Sequence, residues 1–202
     1  MATILDTLKD IETLQAEIEP YSNLYTDTDR FIREIMNFTS VMYFEFSSHA
    51  VLNSIKLTNY KNIRFGQKYF DLYLQDGLLD EFIRLKNIGY LSVIWNIYEK
   101  YLRDKYRNDY SLEEFKIKKL FDDLLPRMFL PNSARIIEEF EVIRNTRNSL
   151  HDGGIYGHNF TPFRGFLQGN EYIFTPGDKV TLLRIMDVAK TIWSHFKLFE
   201  NI

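Results

Sequence analysis

Apolar residues recur at helical spacing from Leu78 to about Arg107, through Leu78, Phe82, Leu85, Ile88, Trp95, Tyr98 and Leu102, and no proline interrupts them. That period and length predict one long helical rod. Ile94, Ile97 and Tyr101 widen its apolar surface beyond a single stripe, which places the rod in the middle of a helical bundle, against more than one neighbour.

The other segments fit the same architecture. Ile4, Leu8, Ile11 and Ile18, with Leu14 at the edge, predict a first helix that Pro20 ends. Asp27 or Thr28 can cap a second, which begins at Asp29, carries Phe31, Ile32, Ile35, Met36 and Phe38, and continues to about Ser54. The alternation from Val41 to Phe46 would also suit a strand, and Asn59–Gly66 reads as a loop. Ser111 is the expected N-cap of a shorter helix to Leu124 or Leu125, with Pro126 and Pro131 bracketing a connector. Asn132 or Ser133 then caps a helix from Ala134 to about His151, closed by Asp152, Gly153 and Gly154. Phe166–Gln168 and Glu171–Phe174 flank Gly169-Asn170, a two-residue hairpin signal. A last helix is expected from Asp178 to Phe199. The predicted fold is all-α, a helical bundle with one small β-hairpin before the last helix.

Composition narrows the function. A chain of 202 residues suits one core, and no linker divides it. A net charge of −3 argues against a broad basic nucleic-acid platform, although a small local basic site remains open. The absence of cysteine excludes disulfides, thiolate zinc sites and thiol nucleophiles. No basic-then-apolar leader is seen at Met1–Asp10, and no long apolar run, so a soluble, cytoplasmic protein without membrane contact is expected. Aromatic residues reach 16%, which predicts a heavily aromatic core and leaves some rings for a dimer interface.

The informative run is Ile143 to Gly154. At about 3.6 residues per turn, Ile136, Phe140, Ile143 and Leu150 share one face, and Arg147 falls in its middle. Arg144, Asn148 and His151 follow along one edge of that face. A guanidinium among apolar side chains is costly unless it is paired. One reading is a structural ion pair between Arg147 and a carboxylate of a neighbouring helix. The other is a ligand site, because two arginines, an amide and an imidazole converge where a glycine-ended helix opens its backbone. No other constellation competes. His49, His151, His158 and His195 have no recognised metal spacing, and no phosphate loop, nucleophile elbow or dinucleotide fingerprint is present, so neither metal nor cofactor is implied. Asp122-Asp123 and Glu138-Glu139 read as solvated helix faces, and Trp95 and Trp193 as core.

These residues resemble the HEPN family, helical bundles marked by an Arg-x4–6-His motif near the end of a late core helix, commonly with Asn directly after the Arg. Arg144-Asn145 stands six residues before His151, the long form of the motif, whereas Arg147-Asn148 leaves only three. Glu99 and Arg103 fit a second family feature, a Glu followed four residues later by a basic residue on an earlier helix. The arrangement of Leu78 to Phe199 is similar to that of many members.

Length and the lack of a linker predict a single helical domain over 1–202, with N-terminal helices in 1–77, and the resemblance implies a HEPN-like core in 78–202. It implies a metal-independent endoribonuclease, a toxin or defence effector with a cognate antitoxin or other protein partner, acting on RNA as a homodimer. The alternative is an inactive HEPN-like dimer that binds RNA, a nucleotide or a protein. In the active form His151 would serve as base or acid, Arg144 or Arg147 would hold phosphate oxygens, and Asn145 or Asn148 would orient the phosphate or the imidazole. Glu99 would be the carboxylate partner of a motif arginine.

Overall fold

A computed structural model describes residues 4–22, 27–59, 78–157 and 160–202. Among them the chain forms α1 (Ile4–Ile18), α2 (Asp27–Asn59), α3 (Leu78–Tyr110), α4 (Ile117–Arg127), α5 (Ser133–His151), the hairpin β1 (Phe163–Leu167) and β2 (Asn170–Phe174), and α6 (Ile185–Glu200). No described helix is long and apolar enough to cross a membrane. The chain separates into two compact units, Met1–Gly89 and Tyr90–Ile202. The division falls within α3, after the 77/78 boundary expected between the two parts of one domain.

In the first unit α1 buries Ile11, Leu14 and Ile18, and α2 buries Phe31, Ile32, Ile35, Phe38 and Met42. Gln15 reaches Thr39 and Ser40, and the Tyr43 hydroxyl donates to Glu12 at 2.9 Å, so polar contacts rim the α1–α2 seam. Val41–Phe46 is helical, because α2 continues unbroken through it. The loop expected over Asn59–Gly66 lies outside the described residues beyond Asn59.

The second unit holds an aromatic core. Its centre is Trp95 and Tyr98 of α3, Phe121 of α4, Phe140 of α5 and Phe196 of α6. Phe121 and Phe140 stack with centroids 3.8 Å apart, and Trp95 and Tyr98 meet the same Phe140 ring at 5.6 and 6.4 Å. Tyr101 joins α3 to α6 through Phe196 and through a hydrogen bond to Glu200. Lys105 adds an ion pair to Glu200 at 3.0 Å.

Several boundaries differ from the sequence pattern. Ser111 ends α3: it takes a left-handed φ of 55° and its N–H returns to the Arg107 carbonyl. Helix α4 therefore starts later, at Ile117, and Pro126 sits inside its last turn. Helix α6 starts at Ile185, not Asp178, because the intervening strand-like segment pairs with the residues after α5: Tyr156 N–H donates to Asp178 and Val180 N–H to Gly154. The hairpin stands where expected, but its turn is Gln168-Gly169, one residue earlier. Both have positive φ, 48° and 78°, as a type I′ turn requires, and Asn170 already pairs with Leu167.

The hairpin docks on α5 through Gly165. A Cβ there would lie 2.8 Å from Val142 Cγ2 and 2.8 Å from the Phe163 ring. Gly165→Ala is expected to lower stability by about 1–3 kcal/mol through this overpacking. Urea unfolding would show the loss, whereas Gly153→Ala, with no neighbour within 4 Å, should show only the milder strain of its positive φ.

Candidate functional site

Helix α5 turns its buried face as it runs. Its first half buries Ile136, Phe140 and Ile143, as the periodicity predicts, and Glu139, which it does not. Its second half buries Val142, Asn145, Thr146 and Ser149 against β1 instead. The small hydroxyls are affordable there because they satisfy themselves: Thr146 donates to the Val142 carbonyl at 2.9 Å and Ser149 to the Asn145 carbonyl at 2.8 Å. The edge carrying Arg144, Arg147, Asn148 and His151 is thereby turned away from the buried one. This corrects the placing of Arg147 in the middle of an apolar face: it is half-buried, as are Arg144, Asn148 and Leu150, and His151 is exposed.

Spacings of three, four and seven residues put Arg144, Arg147, Asn148 and His151 on neighbouring turns of that edge. Arg144 is committed: its Nε and Nη2 donate to Glu141 Oε2 at 3.0 and 2.6 Å, and Nη2 also reaches Asn145 Oδ1 at 3.0 Å. The other oxygen of Glu141 meets Lys118 at 3.0 Å, so a buried carboxylate sits between two cations. Arg147 donates to Asn148 Oδ1 at 3.2 Å and, among the described residues, has no carboxylate partner. His151 has no hydrogen-bond partner among them. The helix closes behind it through Asp152 and Gly154, whose N–H groups both return to the Ser149 carbonyl, with φ of 69° and 85° at Gly153 and Gly154.

Glu99 does not serve a motif arginine. It accepts Trp95 Nε1 at 2.9 Å and Arg103 at 2.5 Å, and Arg103 goes on to the Glu114 and Phe115 carbonyls at 2.6 and 2.9 Å. The pair thus holds the α3–α4 connector. The carboxylate of Arg144 is Glu141, one turn away on the same helix and not on a neighbouring one.

Glu139 overturns a second expectation. It is buried, not a solvated face: Oε2 lies 2.9 Å from His195 Nε2 and Oε1 accepts Arg135 Nε at 2.9 Å. His195 is buried too, and its Nδ1 lies 2.7 Å from the Tyr98 hydroxyl. A chain Tyr98–His195–Glu139–Arg135 therefore joins α3, α6 and α5. Burial would raise the Glu139 carboxyl, but the bonds from His195 and Arg135 outweigh it and hold the group below its ordinary 4.5. Burial, reinforced by the Glu139 charge, pushes the Tyr98 phenol well up. A neutral imidazole protonated at Nε2 would donate to Glu139 and accept from Tyr98. Among the described residues no group of three or more His, Asp or Glu is placed to hold a metal ion; His158 lies outside them. Compared with known protein families, curated proteins and solved structures, the chain matches none.

Two predictions separate these roles. Arg147→Ala is expected to change unfolding stability by no more than about 0.5 kcal/mol, whereas Arg144→Ala, which strips a buried carboxylate of one of its cations, should cost about 2 kcal/mol in the same urea series. A large loss at Arg147 would reinstate the structural ion pair.

The Glu139 carboxylate has a depressed folded pKa, so its contribution is complete above 4.5 and disappears as pH falls through the lower, folded value. Glu139→Gln should cost about 2 kcal/mol at neutral pH. The difference in melting temperature between the two proteins should narrow steadily below pH 4.5, and a difference constant with pH would show that the carboxylate charge contributes nothing.

Proposed function

We propose that this protein is a metal-independent endoribonuclease of HEPN type that acts on RNA as a homodimer, in the manner of a toxin or defence effector. The observation that carries the reading is the pairing, on one outward edge of α5, of an arginine without a carboxylate partner among the described residues and an exposed histidine one turn beyond it. Cleavage without a metal needs a base for the 2′-hydroxyl, cations for the phosphorane oxygens and an acid for the leaving 5′-oxygen. His151 supplies proton transfer and Arg147 the phosphate contact. Asn148 keeps its amide N–H groups for a phosphate, since its oxygen is taken by Arg147. Arg144, bound to Glu141, is a positioning residue in this scheme.

One observation favours a second reading. The arginine with the family spacing to His151 is the one already neutralised, and His151 has no orienting partner among the described residues. A HEPN-like dimer that binds RNA, a nucleotide or a protein without cutting would have no need of either.

Incubating the protein and its His151→Ala variant with mixed RNA in EDTA decides between the two. Nuclease action predicts fragments ending in 2′,3′-cyclic phosphate from the unaltered protein, and a fall of about 10²–10⁴ in rate for the variant. An exposed His151 leaves the variant's fold intact, which circular dichroism checks. If neither protein cuts, salt-sensitive RNA binding that is lost in Arg147→Ala marks the binding form.

A further inference from the structure

At the opposite end of α5 from His151, a cavity of about 420 Å³ opens between Pro131–Glu139 and the last turns of α6. Its lining is amphipathic. Ile136, Leu198 and Ile202 give an apolar side, and Arg135, Asn132 and Ser194 a polar one. Among the described residues neither the Ser194 hydroxyl nor the Asn132 amide has a hydrogen-bond partner. Arg135 spends only its Nε on Glu139, which leaves the Nη1/Nη2 edge of the guanidinium unpaired among the described residues. That edge matches the two oxygens of a carboxylate.

We propose that this cavity binds a small organic monocarboxylate, with its carboxylate on the Arg135 fork and Ser194 and its hydrocarbon part against Ile136, Leu198 and Ile202. A cavity of this size with an apolar side and a few convergent polar groups has the usual form of a small-molecule site. The guanidinium fork selects the class: its two parallel N–H groups match the planar oxygen pair of a carboxylate, and the apolar side takes a hydrocarbon part. Both oxygens of Glu139 are already engaged, by Arg135 and His195, so the ligand meets a wall whose negative charge is compensated.

The site shares no residue with the Arg147–His151 edge, and the inference does not rest on the nuclease reading. It is tested with 4-phenylbutyrate on the full chain, followed by calorimetry and by amide shifts in the nuclear magnetic resonance spectrum. Binding is expected, with shifts centred on Arg135, Ser194 and Leu198, and 4-phenylbutanol should bind at least about tenfold more weakly. Arg135→Gln should abolish the preference for the acid. Leu198→Trp, which fills the cavity and leaves the Arg135–Glu139 pair alone, should abolish binding of both compounds and decides the matter should Arg135→Gln fail to fold. No binding at millimolar concentration, equal affinity for the alcohol, or binding undisturbed by Leu198→Trp would each overturn the proposal.

Discussion

The second unit depends on one buried imidazole. His195 has both ring nitrogens engaged, one by Tyr98 of α3 and the other by Glu139 of α5, so its own helix α6 cannot shift without breaking polar bonds on two sides. Apolar contacts between the same helices, such as Phe121 on Phe140, tolerate sliding much better than a chain of directed bonds does. Separation of the helices would leave an imidazole, a carboxylate and a phenol buried without partners, each with its full desolvation penalty. Arg135 completes the chain at the surface, where its charge balances Glu139 with little desolvation of its own. Burial supplies the bulk of the driving force, and this chain selects which packing is adopted.

The orientation of α5 follows from two anchors of different kinds. Its first half is fixed by Glu139 and Phe140 within the aromatic core. Its second half is fixed by contact with the hairpin, where Gly165 allows β1 to approach Val142 at a distance no side chain would permit. The two anchors lie on different sides of the helix, so the buried surface winds around it. What remains outward in the last two turns is the edge bearing Arg144, Arg147, Asn148 and His151. The hairpin thus does more than decorate the bundle: it determines which residues of α5 meet solvent.

Much of this was legible in the sequence. The helices, the position of the hairpin and the glycine-ended turn after His151 all follow from local signals, namely apolar period, proline and glycine placement and turn chemistry. Errors gathered where a residue had two competing uses. Ser111 looks like an N-cap, but it ends α3 in a left-handed turn, and Asp178 looks like the start of a helix but serves as backbone partner to Tyr156. The periodicity from Ile136 misplaces Arg147 because Thr146 and Ser149, polar in composition, become buriable by bonding to their own helix. Glu139 and His195 were unreadable for a different reason. They are 56 residues apart, and nothing local distinguishes a buried Glu from its neighbour Glu138.

The electrostatics of the α5 terminus bear directly on the stoichiometry of the proposed reaction. The C-terminal end of a helix carries roughly half a negative charge, which opposes any phosphate placed there. Arg144 cannot offset it, since Glu141 already holds that guanidinium, and Lys118 is shared between Glu141 and Asp122. Arg147 alone is then left on this edge to face a phosphorane dianion, and it must first overcome the helix. A single chain falls short by at least one cation and by one of the two proton-transfer groups. Two chains brought together along this edge would contribute two Arg147 and two His151 to one cleft, which meets both requirements at once. The half-buried state of Arg147 suits that arrangement, because a second chain could cover it without burying a carboxylate beside it. On these grounds the homodimer is a condition of the proposed chemistry, and a monomer with this edge has the means to bind a phosphate weakly but not to complete its transfer.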